Sequence, residues 1–209
     1  YKTNDYLLGG ALAFENGTGT SNNLSYSITL GRNSSGPSRI FPTTGSEFSL
    51  GAKFTLPHSL LTGKDYSNLE DLDEFKTAPD TNGNGVLDNE DVGVDSEGND
   101  IRIINTGKIN QEKFEWLEYY KLTYKAKWYT ALIGKLVLMT NTELGYLGAY
   151  NSELADIPFE RYFVGGDGLQ QGQFDGREVV GLRGYENSSL SGNIGGKIYN
   201  KFSLELRYP

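Results

Sequence analysis

Alternation of apolar and polar residues with a period of two constrains this chain more than any other feature. Successive side chains of a strand point to opposite faces, so the pattern describes a sheet whose two faces meet different surroundings. Leu24, Tyr26, Ile28 and Leu30 alternate with Ser25, Ser27 and Thr29. Phe48, Leu50, Ala52, Phe54 and Leu56 alternate with Ser49, Gly51, Lys53 and Thr55. Tyr120, Leu122, Tyr124, Ala126 and Trp128 alternate with Lys121, Thr123, Lys125 and Lys127. Ile198, Phe202, Leu204, Leu206 and Tyr208 stand against Tyr199, Lys201, Ser203, Glu205 and Arg207. Fainter patterns cover 5–14 and 136–146, so six strands are expected. Most run to about 9–11 residues, the length that crosses a bilayer at a tilt.

Two architectures fit that pattern. A soluble antiparallel sandwich alternates equally well. In a transmembrane barrel the polar face lines a wet lumen and aromatics gather where strands meet the headgroups. Here the polar face is Ser, Thr and Gly with occasional charge, and Tyr6, Phe14, Phe48, Tyr120, Trp128, Tyr146 and Tyr208 fall near strand ends. The connections separate the two readings. Link 15–23 is moderate, 32–47 is turn-rich around Phe41-Pro42-Thr43-Thr44-Gly45, and 130–135 is short. Links 57–118 and 149–197 are very long and leave the same inferred side. Loops beyond about 12–15 residues are uncommon in compact domains. Long loops on one side and short turns on the other are the habit of outer-membrane barrels. The fold class expected is therefore all-β, an antiparallel transmembrane β-barrel segment with two long extracellular loops.

Composition narrows the function. The 209 residues contain no Cys and a single histidine, His58, which excludes disulfide scaffolds, Cys-ligated zinc and multi-His metal sites. No apolar run reaches the length of a helical span. The net charge of -8 argues against nucleic acid as a partner. That charge is uneven: residues 65–100 hold 12 acidic residues and one basic, whereas the rest holds 15 acids and 18 bases. An acidic insert thus interrupts a mildly basic frame. The chain opens Tyr1-Lys2-Thr3-Asn4-Asp5 without a signal-peptide pattern and closes at Pro209 directly after a strand pattern, so a segment of a larger protein is expected. No nucleophile–base pair, phosphate loop or catalytic carboxylate pair is supported by spacing, so no enzyme is expected. His58, at a strand end, reads as a surface residue, and 65–74 as a solvated acidic face.

The acidic insert carries one motif. Asp80, Asn82, Asn84, Gly85, Val86, Asp88 and Asp91 occupy loop positions 1, 3, 5, 6, 7, 9 and 12 of a calcium loop of the EF-hand type. Side-chain oxygens would come from Asp80, Asn82, Asn84, Asp88 and Asp91, and a backbone carbonyl from Val86. Position 12 departs from the pattern, with Asp in place of Glu. Leu69, Leu72 and Phe75 precede the loop at helix-like spacing, but no exiting helix is evident. The plainer reading is a solvated Asn/Asp/Gly-rich turn.

The second long loop reads Pro158-Phe159-Glu160-Arg161-Tyr162-Phe163-Val164-Gly165-Gly166, then Leu182-Arg183-Gly184-Tyr185, then Gly195-Gly196. In this order the segments resemble the sixth extracellular loop of the BamA family of outer-membrane assembly factors, of the Bacteroidetes type, within the bacterial surface antigen superfamily. Leu182 stands where that family has Val. The resemblance also takes in the Phe41–Gly45 turn and the closing strand, and covers most of the chain outside 58–115. It implies about six of 16 barrel strands, with periplasmic POTRA domains and the remaining strands outside the segment. Its parts would be strands in 1–57, the acidic insert 58–115 and strands in 116–150. Loop 151–197 would fold into the lumen, and 198–209 would form a further strand. It implies a role in folding and inserting β-barrel proteins into the bacterial outer membrane without nucleotide hydrolysis. Outer-membrane lipids, unfolded β-barrel clients and accessory assembly lipoproteins are the partners implied. It also implies that Arg183 contacts an acid on a lumen-facing strand, which maps to Glu205. Without the resemblance, Arg183 reads as a solvated loop arginine. A related secretion or translocation pore, and a soluble calcium-binding β-sandwich module, stay open as alternatives.

Overall fold

The computed structural model describes residues 2–4, 18–80, 93–94, 97, 100–155, 157, 160–167, 178–187, 189–192 and 194–208. In chain order the strands are β1 Lys2–Asn4, β2 Thr18–Thr20, β3 Ser25–Asn33, β4 Gly36–Pro37, β5 Pro42–Thr55, β6 Lys76–Thr77, β7 Ile103–Ile104, β8 Tyr120–Ala131, β9 Val137–Gly148, β10 Tyr162–Val164, β11 Glu178–Val180 and β12 Ile198–Arg207. The α-helices are α1 His58–Thr62 and α2 Thr106–Phe114. Two compact units result.

The larger unit, residues 25–56, 119–149 and 159–209, is built on an antiparallel sheet of order β12-β9-β8-β5-β3. These are five of the six expected strands, each paired with its neighbour in sequence. The remaining expected strand, at 5–14, lies outside the described residues. Strand β5 begins at Pro42, earlier than the alternation indicates. Its first residues are Thr, Gly, Ser and Glu, which carry no apolar signal. Pairing recruits them: Gly45 faces Tyr129 and Glu47 faces Lys127. The turn expected at Phe41–Gly45 is thus partly strand. Pro42 is tolerated because it sits at the strand's first residue.

The two faces differ as the alternation requires. Even-numbered residues point outward: Ile28, Leu206 and Leu204 are 58%, 64% and 76% exposed, and Leu30, Leu50, Leu122 and Phe202 share that face. Odd-numbered residues turn inward, and Lys121, Val137, Met139, Leu147 and Tyr199 are buried. Among the described residues no second sheet covers the even face, as a sandwich would require. An apolar face of this extent calls for an apolar surrounding. Aromatics bound it. Tyr26 stacks on Phe54 at 6.0 Å and Tyr120 lies 5.9 Å from Tyr146 at the long-loop end, with Phe48 and Trp128 toward the other. From Tyr120 to Trp128 the strand runs about 26 Å, or roughly 20 Å of membrane at a 40° tilt, comparable to the apolar band of an outer-membrane barrel. No described helix is long and apolar enough to cross a membrane.

The smaller unit comprises 1–24, 57–118 and 150–158. Its core joins Tyr66, Leu69, Phe75, Ile109 and Leu154. The helix-like spacing of Leu69, Leu72 and Phe75 resolves into two 3-10 turns, Leu69–Asp71 and Asp73–Phe75. Leu72 between them is extended, which breaks the helix and leaves its side chain exposed while Leu69 and Phe75 are buried. Asp65, Glu70, Asp71, Asp73 and Glu74 are all solvated. Helix α2 starts at Asn105, whose side chain accepts from the Lys108 N–H at 3.0 Å, a standard N-cap. At the unit's base the buried Glu118 carboxylate accepts from the Ser59 N–H at 2.5 Å and the Ser59 hydroxyl at 2.7 Å.

Candidate functional site: the inner face and its loop

The described residues of segment 160–197 are folded on the odd-numbered face of the sheet. Its backbone is tied down in several places. Tyr162 and Gly196 exchange N–H···O bonds of 2.9 and 2.8 Å, and the Leu147 N–H donates to the Lys197 carbonyl at 2.7 Å. Strand β10 pairs in parallel with β11, which locks 162–164 to 178–180. The Tyr162 ring meets Tyr199 edge-on, with centroids 4.6 Å apart. Gly145 makes room for both: a Cβ there would lie 2.6 Å from Tyr199 Cδ1 and 2.7 Å from Tyr162 Cζ. Tyr162 is fully buried, and its hydroxyl has no hydrogen-bond partner among the described residues. Burial, reinforced by the charges of Glu178 and Glu160 and by Tyr199, pushes that hydroxyl far above the usual tyrosine range.

A charge cluster sits beside this aromatic pair. Lys53 on β5 and Lys121 on β8 are direct cross-strand partners. Two like charges in that position repel. Glu160 from the loop resolves the conflict. Its carboxylate takes Lys53 Nζ at 2.7 Å and Lys121 Nζ at 3.4 Å, and its carbonyl oxygen accepts from Lys121 Nζ at 2.9 Å. Glu178 on β11 also pairs with Lys121. Lys121 Nζ lies 4.4 Å from the Tyr162 ring centroid, a cation–π contact. Burial pushes the Glu160 carboxyl up, but the Lys53 hydrogen bond and the charges of Lys121 and Lys53 outweigh it. The group is held below the ordinary carboxylate range. Glu160 is the only described non-glycine residue with positive φ, at 64°. That conformation costs about 1–3 kcal/mol and persists where surrounding contacts over-determine it.

The Leu182–Tyr185 motif follows from this anchor. The Gly165 N–H donates to Val180, the Leu182 N–H to Gly166 at 2.8 Å and the Gly166 N–H to Tyr185 at 3.0 Å. Leu182 is half-buried, whereas Arg183 and Tyr185 are exposed. Gly184 has φ 86°, a left-handed turn, and open space surrounds its α-carbon. Its glycine is therefore required by conformation. Leu182 and Arg183 line a cavity of about 860 Å³ together with Asn141, Glu143, Lys201 and Glu205. Lys201 pairs with Glu143 at 3.1 Å. The Glu205 carboxylate pairs with Arg207, two residues along β12, at 3.1 Å. The charge of Arg183 acts on Glu205 through space, and no ion pair joins the two among the described residues.

Of the expected calcium ligands only Asp80 is described, and it is exposed. Asn82, Asn84, Val86, Asp88 and Asp91 lie outside the described residues. The chain on either side is drawn together. Strand β6 pairs with β7, the Ile101 N–H donates to Gly93 at 2.9 Å, and a Cβ on Gly93 would strike the Pro79 ring. Among the described residues no group of three acidic or histidine side chains could hold a metal. His58 is half-buried and stacked on Trp116 at 5.2 Å. Sequence reasoning missed Lys53, Lys121, Glu160 and Glu178. The available signal was two lysines among Ser, Thr and Gly on the inward face, with a Glu inside the loop motif. Only the strand register shows that one carboxylate serves both lysines.

An antiparallel sheet with one broad apolar face bare, and the described loop residues folded on its polar face, has the architecture of a membrane β-barrel wall. The comparison with known families agrees: the Omp85 superfamily domain matches residues 1–209. The chain belongs to the Omp85 superfamily, outer-membrane proteins of Gram-negative bacteria that serve as protein insertion and secretion factors. No curated protein matches the chain.

Proposed function

We propose that within this superfamily the chain is part of an assembly factor of the BamA family, Bacteroidetes type. It would fold and insert β-barrel clients into the outer membrane together with accessory lipoproteins. The loop folded on the inner face supports this reading most, because it carries Leu182-Arg183-Gly184-Tyr185 to the cavity where Glu205 lies. The part played by this segment is positional: it supplies outer wall and holds the motif inside the lumen. No chemical step is required of it, and the protein works without nucleotide hydrolysis. In the working protein Arg183 engages the Glu205 carboxylate, a charge-assisted pair strengthened in a partly dry lumen. Conditional depletion of the full-length protein tests the reading. Many unrelated β-barrel proteins should then disappear from the outer membrane together. Loss of one secreted passenger, with other barrels intact, would instead assign a secretion pore.

We also propose that the 80–91 loop binds one calcium ion through Asp80, Asn82, Asn84, Asp88 and Asp91, with the Val86 carbonyl as a further ligand. The closed base formed by Pro79, Gly93 and β6–β7 supports this, since a twelve-residue calcium loop needs its ends held near each other. The ion would fold the acidic segment by cancelling its self-repulsion. Calorimetry on the full-length protein should show uptake that Asp80→Ala abolishes, and no uptake at millimolar calcium would refute the site.

A further inference from the structure

We propose that Glu160, held by Lys53 and Lys121, is the residue that positions the lumenal loop, a latch separate from the Arg183 motif that it serves. Three observations carry the inference. The two lysines are opposed on neighbouring strands, an arrangement that is destabilising until an acid neutralises it. The acid comes from the loop, and it reaches them from a left-handed backbone conformation that a glutamate adopts only under constraint. The anchor is then transmitted: Tyr162 follows two residues on, β10 pairs with β11, and Gly166 bonds to both Leu182 and Tyr185. A displacement at Glu160 therefore moves the motif, 22 residues or more away in the chain.

The groups facing Glu160 are Lys53 and Tyr119 from the wall at β5 and the start of β8, Lys121 from β8, Tyr162 from β10 and Glu178 from β11. Of these, Lys53, Lys121 and the Tyr119 hydroxyl favour the charged carboxylate, and Glu178 competes for Lys121. Protonating Glu160 removes the shared counter-charge and leaves Lys53 facing Lys121, which then has Glu178 alone as its acid. The loop should then lift at low pH, while the sheet, whose backbone pairing does not depend on that proton, persists.

The chain has no cysteine, so one introduced thiol reports cleanly. Leu147 is 2% exposed, lies beside Lys121 on the same face and bonds through its N–H to Lys197. In the full-length Leu147→Cys protein in outer-membrane vesicles, a charged maleimide should label slowly at neutral pH. Glu160→Gln should speed labelling at least tenfold, and Glu160→Asp should restore much of the protection. Lys53→Met should accelerate labelling in the parent but add little to Glu160→Gln, because the two share one interaction. With each rate divided by that of a free thiol at the same pH, acidification should expose the thiol in the parent and change nothing in Glu160→Gln. A merely structural role would give neither the Asp rescue nor the lost pH response. Where Glu160→Gln fails to reach the membrane, Lys53→Met and the parent's pH profile decide alone. Parent-like labelling in both charge variants, or effects that simply multiply, would overturn the proposal. Labelling needs no client, so failure of the latch and failure of the assembly reading give separate results.

Discussion

Gly145→Ala is the substitution to which the lumenal packing should respond most clearly. The added methyl would sit 2.6 Å from Tyr199 Cδ1 and 2.7 Å from Tyr162 Cζ, well inside van der Waals contact. Both rings are confined: Tyr162 is 0% and Tyr199 5% exposed, and they pack edge-to-face. Neither can swing aside without opening the loop. Forcing a methyl into such a site costs about 1–3 kcal/mol, and the lost ring pair adds about 0.5–1.5. The expected destabilisation is roughly 2–4 kcal/mol, borne mainly by loop docking. Gly51→Ala is the matched control. On the same face, its methyl would meet chiefly Thr123 Oγ1 at 2.5 Å, the end of a side chain that can rotate. Denaturant titration of both variants in lipid vesicles, with thiol protection at position 147 as a second readout, measures the difference. Equal midpoints and equal protection would show that the Tyr162–Tyr199 pair does not fix the loop.

Other outcomes follow from the same geometry. Leu50→Arg, at the middle of β5 on the bare face, should cost about 2–4 kcal/mol in lipid, and Ser49→Arg, on the inner face, much less; similar costs in a folding titration would mean the faces are misassigned. The stabilisation that Glu160 contributes belongs to a carboxyl whose folded value is depressed. It should therefore be complete above the ordinary glutamate range and fade as pH falls through the lower folded value. A pH series on the parent and on Glu160→Gln checks this, the variant being flat over that window. Glu118→Ala should leave the Ser59 N–H and hydroxyl without their acceptor, at about 1–3 kcal/mol. Faster proteolysis within 57–118, with the sheet resistant, is the expected readout. Arg183→Ala should impair assembly of client barrels far more than Lys113→Ala on α2, as client levels in the outer membrane will show.

The sheet was legible because its physics is local. Leu24–Leu30, Phe48–Leu56, Tyr120–Trp128 and Ile198–Tyr208 each declare their two faces by alternation alone, and the side-chain period of two admits no other assignment. Loop lengths then fixed which ends are open. The start of β5 was illegible because Gly45 and Ser46 join the strand only through their partners. The break at Leu72 was hidden because a helical spacing of apolar residues does not report backbone dihedrals. The motif around Arg183 could be found by its order of residues, but where it rests could not. Glu205 was reachable from its inward register, yet its ion pair with Arg207 depends on side-chain geometry within β12. Lys53 shows the limit best. By sequence it is an unremarked polar residue on a wet face. Its role arises because pairing sets it against Lys121, and a loop more than a hundred residues later brings Glu160 to both. Alternation is written in neighbouring residues, so the sequence by itself determined the strands and their faces. The charge cluster joins three distant segments, so only the tertiary structure could decide it.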